Sequence, residues 1–276
     1  MCTTCGCGSD QVHVDGTILH QHDHDYSGSR RAHVHEHGVS DVGESRRVRI
    51  ERAVLAKNDR YAQTNRQLLA EHGILMLNLV SSPGSGKTTL LVETIRALQS
   101  DLSIAVIEGD QQTDQDAMRV RATGVQALQI NTGKGCHLDA HMVGHAIQRL
   151  DLQENSALFI ENVGNLVCPA GFDLGEAHKV VILSVTEGED KPLKYPDMFR
   201  AADLMLLNKC DLLPYLSFDV CRVIEYAHRV NPSLQIIQVS ATLGTGMPAW
   251  FDWIKRSHHC AVKAKRAIVS TQHASD

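Results

Sequence analysis

The residues best suited to chemistry fall into a phosphate loop, a base loop and several thiol and imidazole clusters. The phosphate loop is Ser81-Ser82-Pro83-Gly84-Ser85-Gly86-Lys87-Thr88-Thr89. Small residues around Gly-Lys-Thr let a chain wrap a polyphosphate with its backbone N–H groups. Lys87 would reach the β- and γ-phosphates, and Thr88 would offer its hydroxyl to Mg²⁺. Ser81 stands where the GxxxxGK[ST] pattern has its first Gly. The base loop is Asn208-Lys209-Cys210-Asp211, an NKxD sequence. A carboxylate at Asp211 can accept from N1–H and the exocyclic amine of guanine. Adenine has no donor at those atoms and would leave the carboxylate desolvated and unpaired. Asn208 would tie this loop to the phosphate loop, the stem of Lys209 would lie over the base, and Ser240-Ala241 would form a second base loop. The nucleotide this pair of loops selects is GTP, with GDP as the product of its hydrolysis.

Acidic residues near these loops extend the chemistry. Glu161-Asn162-Val163-Gly164 closes an apolar run, so Glu161 would reach Mg²⁺ or its water and Gly164 would turn a backbone N–H toward the γ-phosphate. Asp110 ends the preceding apolar run and is the other acid placed to hold metal or orient the nucleophile. Lys87, Asp110 and Glu161 are thus the expected catalytic residues, and Thr88, Asp110 and Glu161 the expected Mg²⁺ ligands.

Soft ligands occur in two places. Cys136-His137 and Cys168-Pro169 together offer thiolate, imidazole and thiolate, a set suited to Zn²⁺ or Ni²⁺ with one position open. His141 and His145 are weaker candidates on the expected helix of His137. Cys2, Cys5 and Cys7 crowd the N-terminus in a CxxCGC sequence that suits Ni²⁺ in a square plane or Zn²⁺ in a tetrahedron. Between residues 10 and 45 the histidines His13, His20, His22, His24, His33, His35 and His37 form a metal-buffering composition. Cys210, Cys221 and Cys260 are read as structural.

These residues need elements to position them. Apolar runs at 74–80, 104–108, 125–130, 157–162, 179–185, 203–207 and 234–239 read as strands. Helical periods at 90–98, 137–150, 218–229 and 247–257 lie between or after them. The alternation predicts an α/β P-loop NTPase with a mostly parallel sheet and helices on both faces. Over 45–71 the residues Ile50, Val54, Tyr61 and Leu68, with Leu55, Ala62 and Leu69 beside them, predict a helix packed on the domain, ending before Gly73. The expected division is a Cys/His-rich tail over 1–44, a helical lead-in over 45–72, the nucleotide domain over 73–260 and a C-terminal tail over 261–276. Residues 10–45 are too poor in apolar groups to build a core, so the tail is expected to be disordered without metal. Residues 1–45 carry a net charge of −5, equal to that of the whole chain, so the remainder balances at zero and presents no basic field for nucleic acid. No apolar run approaches the ~20 residues of a membrane span and no signal sequence opens the chain, which predicts a cytoplasmic protein.

The CxxCGC start, the His-rich segment, SSPGSGKTTL, NTGKGCHLDAHMV, ENVGNLVCPA, TEGEDKPLKYPDMF and NKCDLL together resemble the HypB family, the nickel-insertion GTPases of [NiFe]-hydrogenase maturation. The resemblance covers nearly the whole chain. It implies a SIMIBI-class GTPase that dimerises with nucleotide or metal. It also implies a Zn²⁺/Ni²⁺ site at Cys136, His137 and Cys168 near the dimer interface, and a tight nickel site at Cys2, Cys5 and Cys7. The implied partners are a HypA-type zinc metallochaperone and the hydrogenase large subunit. Rival readings are a nickel GTPase serving another enzyme such as urease, a nickel store whose P-loop domain only dimerises, and a translation or signalling GTPase.

Overall fold

A computed structural model describes residues 13–14, 17–18, 46–110, 115–133 and 135–273. The short strands β1 (His13–Val14) and β2 (Thr17–Ile18) precede a long helix, α1 (Arg46–His72). Then come β3 (Leu75–Ser81), α2 (Lys87–Leu98), β4 (Ile104–Asp110), α3 (Gln115–Arg121), β5 (Gln126–Asn131), α4 (Ala140–Ile147) and β6 (Ala157–Gly164). The second half runs β7 (His178–Ser184), α5 (Lys191–Lys194), α6 (Pro196–Ala201), β8 (Leu204–Asn208), α7 (Val220–Val230), β9 (Gln235–Gln238) and α8 (Met247–His273). Strands β3 to β9 pair in parallel in the order β5-β4-β6-β3-β7-β8-β9. Within the tail read as disordered, β1 and β2 pair antiparallel to one another, and β1 pairs with β5.

A parallel sheet covered on both sides buries both faces of each strand, so its strands read as continuous apolar runs. Along β3, Leu75, Leu77 and Leu79 point to one side, into a core with Leu90, Leu91 and Ile95 of α2 and Trp250 of α8. Met76 points to the other side, among Ile107, Leu158, Ile160, Val143 of α4 and Leu69 of α1. Trp250 is fully buried and donates its indole N–H to Thr94 Oγ1 at 2.9 Å. Trp250→Ala should cost about 3–5 kcal/mol in urea unfolding, the range for removing a large core aromatic. A loss below ~1 kcal/mol would show that this joint between α2 and α8 bears little of the core.

Two helices depart from their sequence reading. Helix α1 packs on the domain, but through the Ala62 and Leu69 edge of the expected stripe and not through its centre. Ile50, Val54, Tyr61 and Leu68 remain 36–54% exposed, whereas Ala62, Leu69, Asn58 and Asn65 are buried. Hydrophobic phase misleads here because polar residues occupy half of the buried stripe. Asn58 donates to the Asp173 carbonyl and accepts from the Ala140 amide, and Asn65 donates to the Ala140 and Leu174 carbonyls. The last helix, expected over 247–257, continues to His273. His258 donates to the Asn155 carbonyl at 2.7 Å, and Lys265 pairs with Glu154, so the extension is held against the turn before β6.

Candidate nucleotide and metal sites

The phosphate loop leaves β3 at Ser81 and enters α2 at Lys87. Gly86 caps α2 with φ 90°, and a Cβ there would lie 2.7 Å from Asn208 Nδ2. Only glycine satisfies both demands. Asn208 Nδ2 donates to the Ser85 carbonyl at 2.9 Å, and Lys209 Nζ donates to the Gly84 carbonyl at 2.6 Å. Asn208 Oδ1 also accepts from the Ala241 amide at 3.3 Å, so one side chain joins the phosphate loop to both base loops. Ser240 Oγ donates to Asp211 Oδ1 at 2.6 Å and fixes the carboxylate.

A cavity of about 630 Å³ opens above the ends of β3, β4 and β6. It is lined by the loop from Ser81 to Thr89 with Asp110, Glu161, Gly164 and Lys209, which brings the expected catalytic and phosphate-side residues together. Asn208, Asp211, Ser240 and Ala241 adjoin it through the contacts above. Within it Thr88 Oγ1 donates to Glu161 Oε1 at 2.6 Å, and Lys87 Nζ pairs with the same oxygen at 3.2 Å. Gly164 lies against Pro83 so closely that a Cβ there would be 3.2 Å from Pro83 N and Cα.

The sequence reading missed Glu108. This side chain lines the same cavity, is 2% exposed and sits opposite Glu161 on the neighbouring strand. Burial, reinforced by the charges of Glu161 and Asp110, pushes its carboxyl up to about 8. Glu108 Oε2 and Glu161 Oε2 are both buried without a hydrogen-bond partner. Two buried carboxyl groups with spare oxygens beside a threonine hydroxyl suit a hard divalent cation such as Mg²⁺, whose charge would favour the ionised form of Glu108. The signal was available in the sequence: Ile104-Ala105-Val106-Ile107-Glu108 and Ala157-Leu158-Phe159-Ile160-Glu161 are matching apolar runs, each closed by Glu. Also missed were Asp116 and Arg119, which line the cavity, and Lys191, which donates to Ser82 Oγ at 3.3 Å and pairs with Glu187.

The thiol and imidazole groups converge nearby. Ligand atoms of Cys136, His137 and Cys168 all lie within 4.8 Å of one another. Cys136 Sγ is 2.7 Å from Cys168 Sγ and 3.5 Å from His137 Nδ1. Burial holds the His137 imidazole below its usual range, which favours the neutral form a metal requires. Its ring lies 3.9 Å from that of Phe172, centroid to centroid. The helix expected from His137 begins instead at Ala140, because Asp139 caps it by accepting from the Met142 amide at 2.8 Å. Cys136 and His137 therefore sit on the preceding loop, free of helical geometry, and Cys168 opens a short 3₁₀ turn ending at Gly171. His141 and His145, on α4, face each other with Nε2 atoms 3.0 Å apart and do not join the cluster of Cys136, His137 and Cys168. Cys210 is half-buried and donates to the Leu207 carbonyl, while Cys221 and Cys260 are exposed. Cys2, Cys5, Cys7 and the side chains of the histidine-rich tract lie outside the described residues.

Residues 75–238 match the family described as CobW/HypB/UreG, nucleotide-binding domain. The hydrogenase maturation factor HypB of Azotobacter vinelandii is 56% identical, across 96% of this chain and 95% of the relative. The crystal structure of the hydrogenase maturation factor HypB from Archaeoglobus fulgidus is 41% identical with a TM-score of 0.69, covering 74% of this chain and 99% of that one. That of HypB from Helicobacter pylori in complex with nickel is 40% identical with a TM-score of 0.70, covering 74% and 95%.

Proposed function

This chain belongs to the HypB hydrogenase maturation factors of the CobW/HypB/UreG family, and from that premise we propose that it hydrolyses GTP to time the delivery of nickel to a hydrogenase large subunit. The observation that carries the reading is the loop joining the two sites. Gly164 lies against the phosphate loop, and Cys168, four residues on, lies against Cys136 in the soft-ligand cluster.

Lys87 and the backbone amides of the loop hold the phosphates, and Asp211 selects guanine. Thr88, Glu161, Asp110 and Glu108 would hold Mg²⁺, which when bound would neutralise charge developing on the β- and γ-phosphate oxygens. Asp110 orients the attacking water. Gly164 N–H contacts the γ-phosphate, ordering the loop that bears Cys168, and hydrolysis releases it. Nickel is the cargo at Cys136, His137 and Cys168, a set that also accepts zinc. A shifted Cys168 changes metal affinity, and linkage requires metal to change nucleotide affinity in return. Cys2, Cys5 and Cys7 form a second nickel site, and the histidine tract stores further ions. In the same reading the chain works in the cytoplasm as a nucleotide- or metal-dependent homodimer and exchanges metal with a HypA-type partner. Among the described residues no helix is long and apolar enough to cross a membrane.

The test is a Ni²⁺ titration of the reduced chain carrying Cys2→Ser, Cys5→Ser and Cys7→Ser, with GDP or with a non-hydrolysable GTP analogue. A shift in affinity between the two nucleotides supports delivery timed by GTP; identical binding would leave a GTPase and a metal store sharing one chain. Cys136→Ala or Cys168→Ala in that background should weaken Ni²⁺ binding at least ~100-fold, since even outer partners of a ligand are worth about 10–100-fold. Unchanged binding would remove nickel from this cluster.

A further inference from the structure

We propose that Asn165 is the positioning residue that carries the nucleotide state to Cys136, so that both thiol loops respond rather than the Cys168 loop alone. This rests on the reading that nucleotide times metal release, and it follows from which parts of the switch loop are anchored.

One anchor lies at Asn162. Between Leu79↔Glu161 and Ser81↔Gly164 the β3–β6 register slips by one residue, so β6 bulges there. Bulges end regular pairing and re-aim the chain. The fully buried Asn78 accepts from Asn162 Nδ2 at 3.2 Å, and Asn162 Oδ1 accepts from its neighbour, the Val163 amide, at 2.9 Å. The other anchor lies at Lys179, 6% exposed on β7, whose ammonium donates to the Pro169 and Phe172 carbonyls at 3.2 and 3.1 Å. Glu176 faces that ammonium at 3.5 Å and accepts from Asn78 at 3.0 Å, so both anchors belong to one buried polar chain. Buried groups satisfied in this way resist displacement, because breaking a contact leaves a desolvated partner.

The span from Gly164 to Cys168 lies between the anchors. Its first residue touches the phosphate loop and its last is the thiol ligand. Asn165, next to Gly164, donates from Nδ2 to the Cys136 carbonyl at 3.1 Å and accepts from the Val167 amide at 2.8 Å. A rotation at Gly164 therefore turns the Asn165 side chain and pulls on the backbone of Cys136. Cys136 and Cys168 are then moved from the same residue span, and the geometry of the whole ligand set changes with the nucleotide.

Asn165→Asp separates this role from a structural one. It keeps the acceptor for the Val167 amide and removes the donor to Cys136. In the chain with Cys2, Cys5 and Cys7 replaced by Ser, Ni²⁺ affinity is measured with GDP and with the non-hydrolysable GTP analogue. The ratio is the readout, because a carboxylate beside the cluster raises affinity in both states alike. A parent ratio in the usual range of coupling, about 5–150-fold, should fall below ~2-fold in Asn165→Asp, while nucleotide affinity without metal is retained. By linkage the effect of Ni²⁺ on analogue affinity should fall by the same factor. Asn165→Ala, measured as a second variant, should give the same collapse. A parent ratio that survives both variants overturns the role of Asn165 and leaves nucleotide-timed release standing. A parent ratio of one overturns that reading and this inference together.

Discussion

Lys87→Ala should lower GTP turnover by about 10²–10³, the effect of removing one preorganised charge from a site of developing negative charge. Two consequences follow from the buried pair it forms with Glu161 at 3.2 Å, where the side chains are 12% and 1% exposed. In catalysis, the ammonium that would follow charge onto the β- and γ-phosphate oxygens is lost. In folding, Glu161 keeps the Thr88 hydroxyl but loses its counter-charge. Removing one member of a buried ion pair costs about 3–5 kcal/mol. Adding Glu161→Gln to Lys87→Ala should restore much of the stability, because the uncompensated charge has gone, and should not restore turnover. Phosphate release and urea unfolding of the single and double variants make the comparison. Turnover unchanged in Lys87→Ala would mean that hydrolysis does not depend on this ammonium, and no turnover in the parent chain would favour a metal store in which this domain does no hydrolysis.

The second large effect is expected at Asp211. With one carboxylate oxygen held by Ser240 at 2.6 Å, the group has a fixed orientation toward the base. Asp211→Asn replaces an acceptor with an amide donor, which would meet the N1–H or amine of guanine head-on. Sites that hydrogen-bond a substrate group discriminate by about 10⁴–10⁵ when the match is lost, because buried polar groups are left unpaired. GTP affinity should fall toward that extent. Xanthosine triphosphate, with a carbonyl in place of the amine, should become the better ligand. Competition of GTP, xanthosine triphosphate and ATP against a fluorescent nucleotide would show the exchange. Unaltered GTP binding would mean that Asp211 does not read the base.

Much of this protein was legible in its residues because the relevant signals are local. A P-loop needs small residues next to Lys and Thr, and its strand and helix must adjoin it in the chain, so Ser81 to Thr89 declared both the loop and its flanks. A parallel sheet buried on both faces leaves apolar runs that need no partner to be recognised, and those runs became β3 to β9. Family membership was readable for the same reason, from motifs spread along the chain.

What the sequence could not decide depends on contacts distant along the chain. The phase of α1 was misread because its buried face is half asparagine, and Asn58 and Asn65 are explained only by backbone groups more than seventy residues away. Helix α4 began later than its period suggested because the Asp139 cap outcompetes a first turn at His137. Glu108 looked like the end of a strand until the register set its buried side chain beside Glu161 at the cavity. The amino-acid sequence alone determined the phosphate loop, the parallel α/β fold and the family, since each lies in short runs of residue type and spacing. Tertiary structure alone decided how closely the expected cluster of Cys136, His137 and Cys168 draws together, that Gly164 presses on Pro83, and that Asn165 spans the two thiol loops. Those depend on strand order and register, which bring the two loops together across 32 residues of chain.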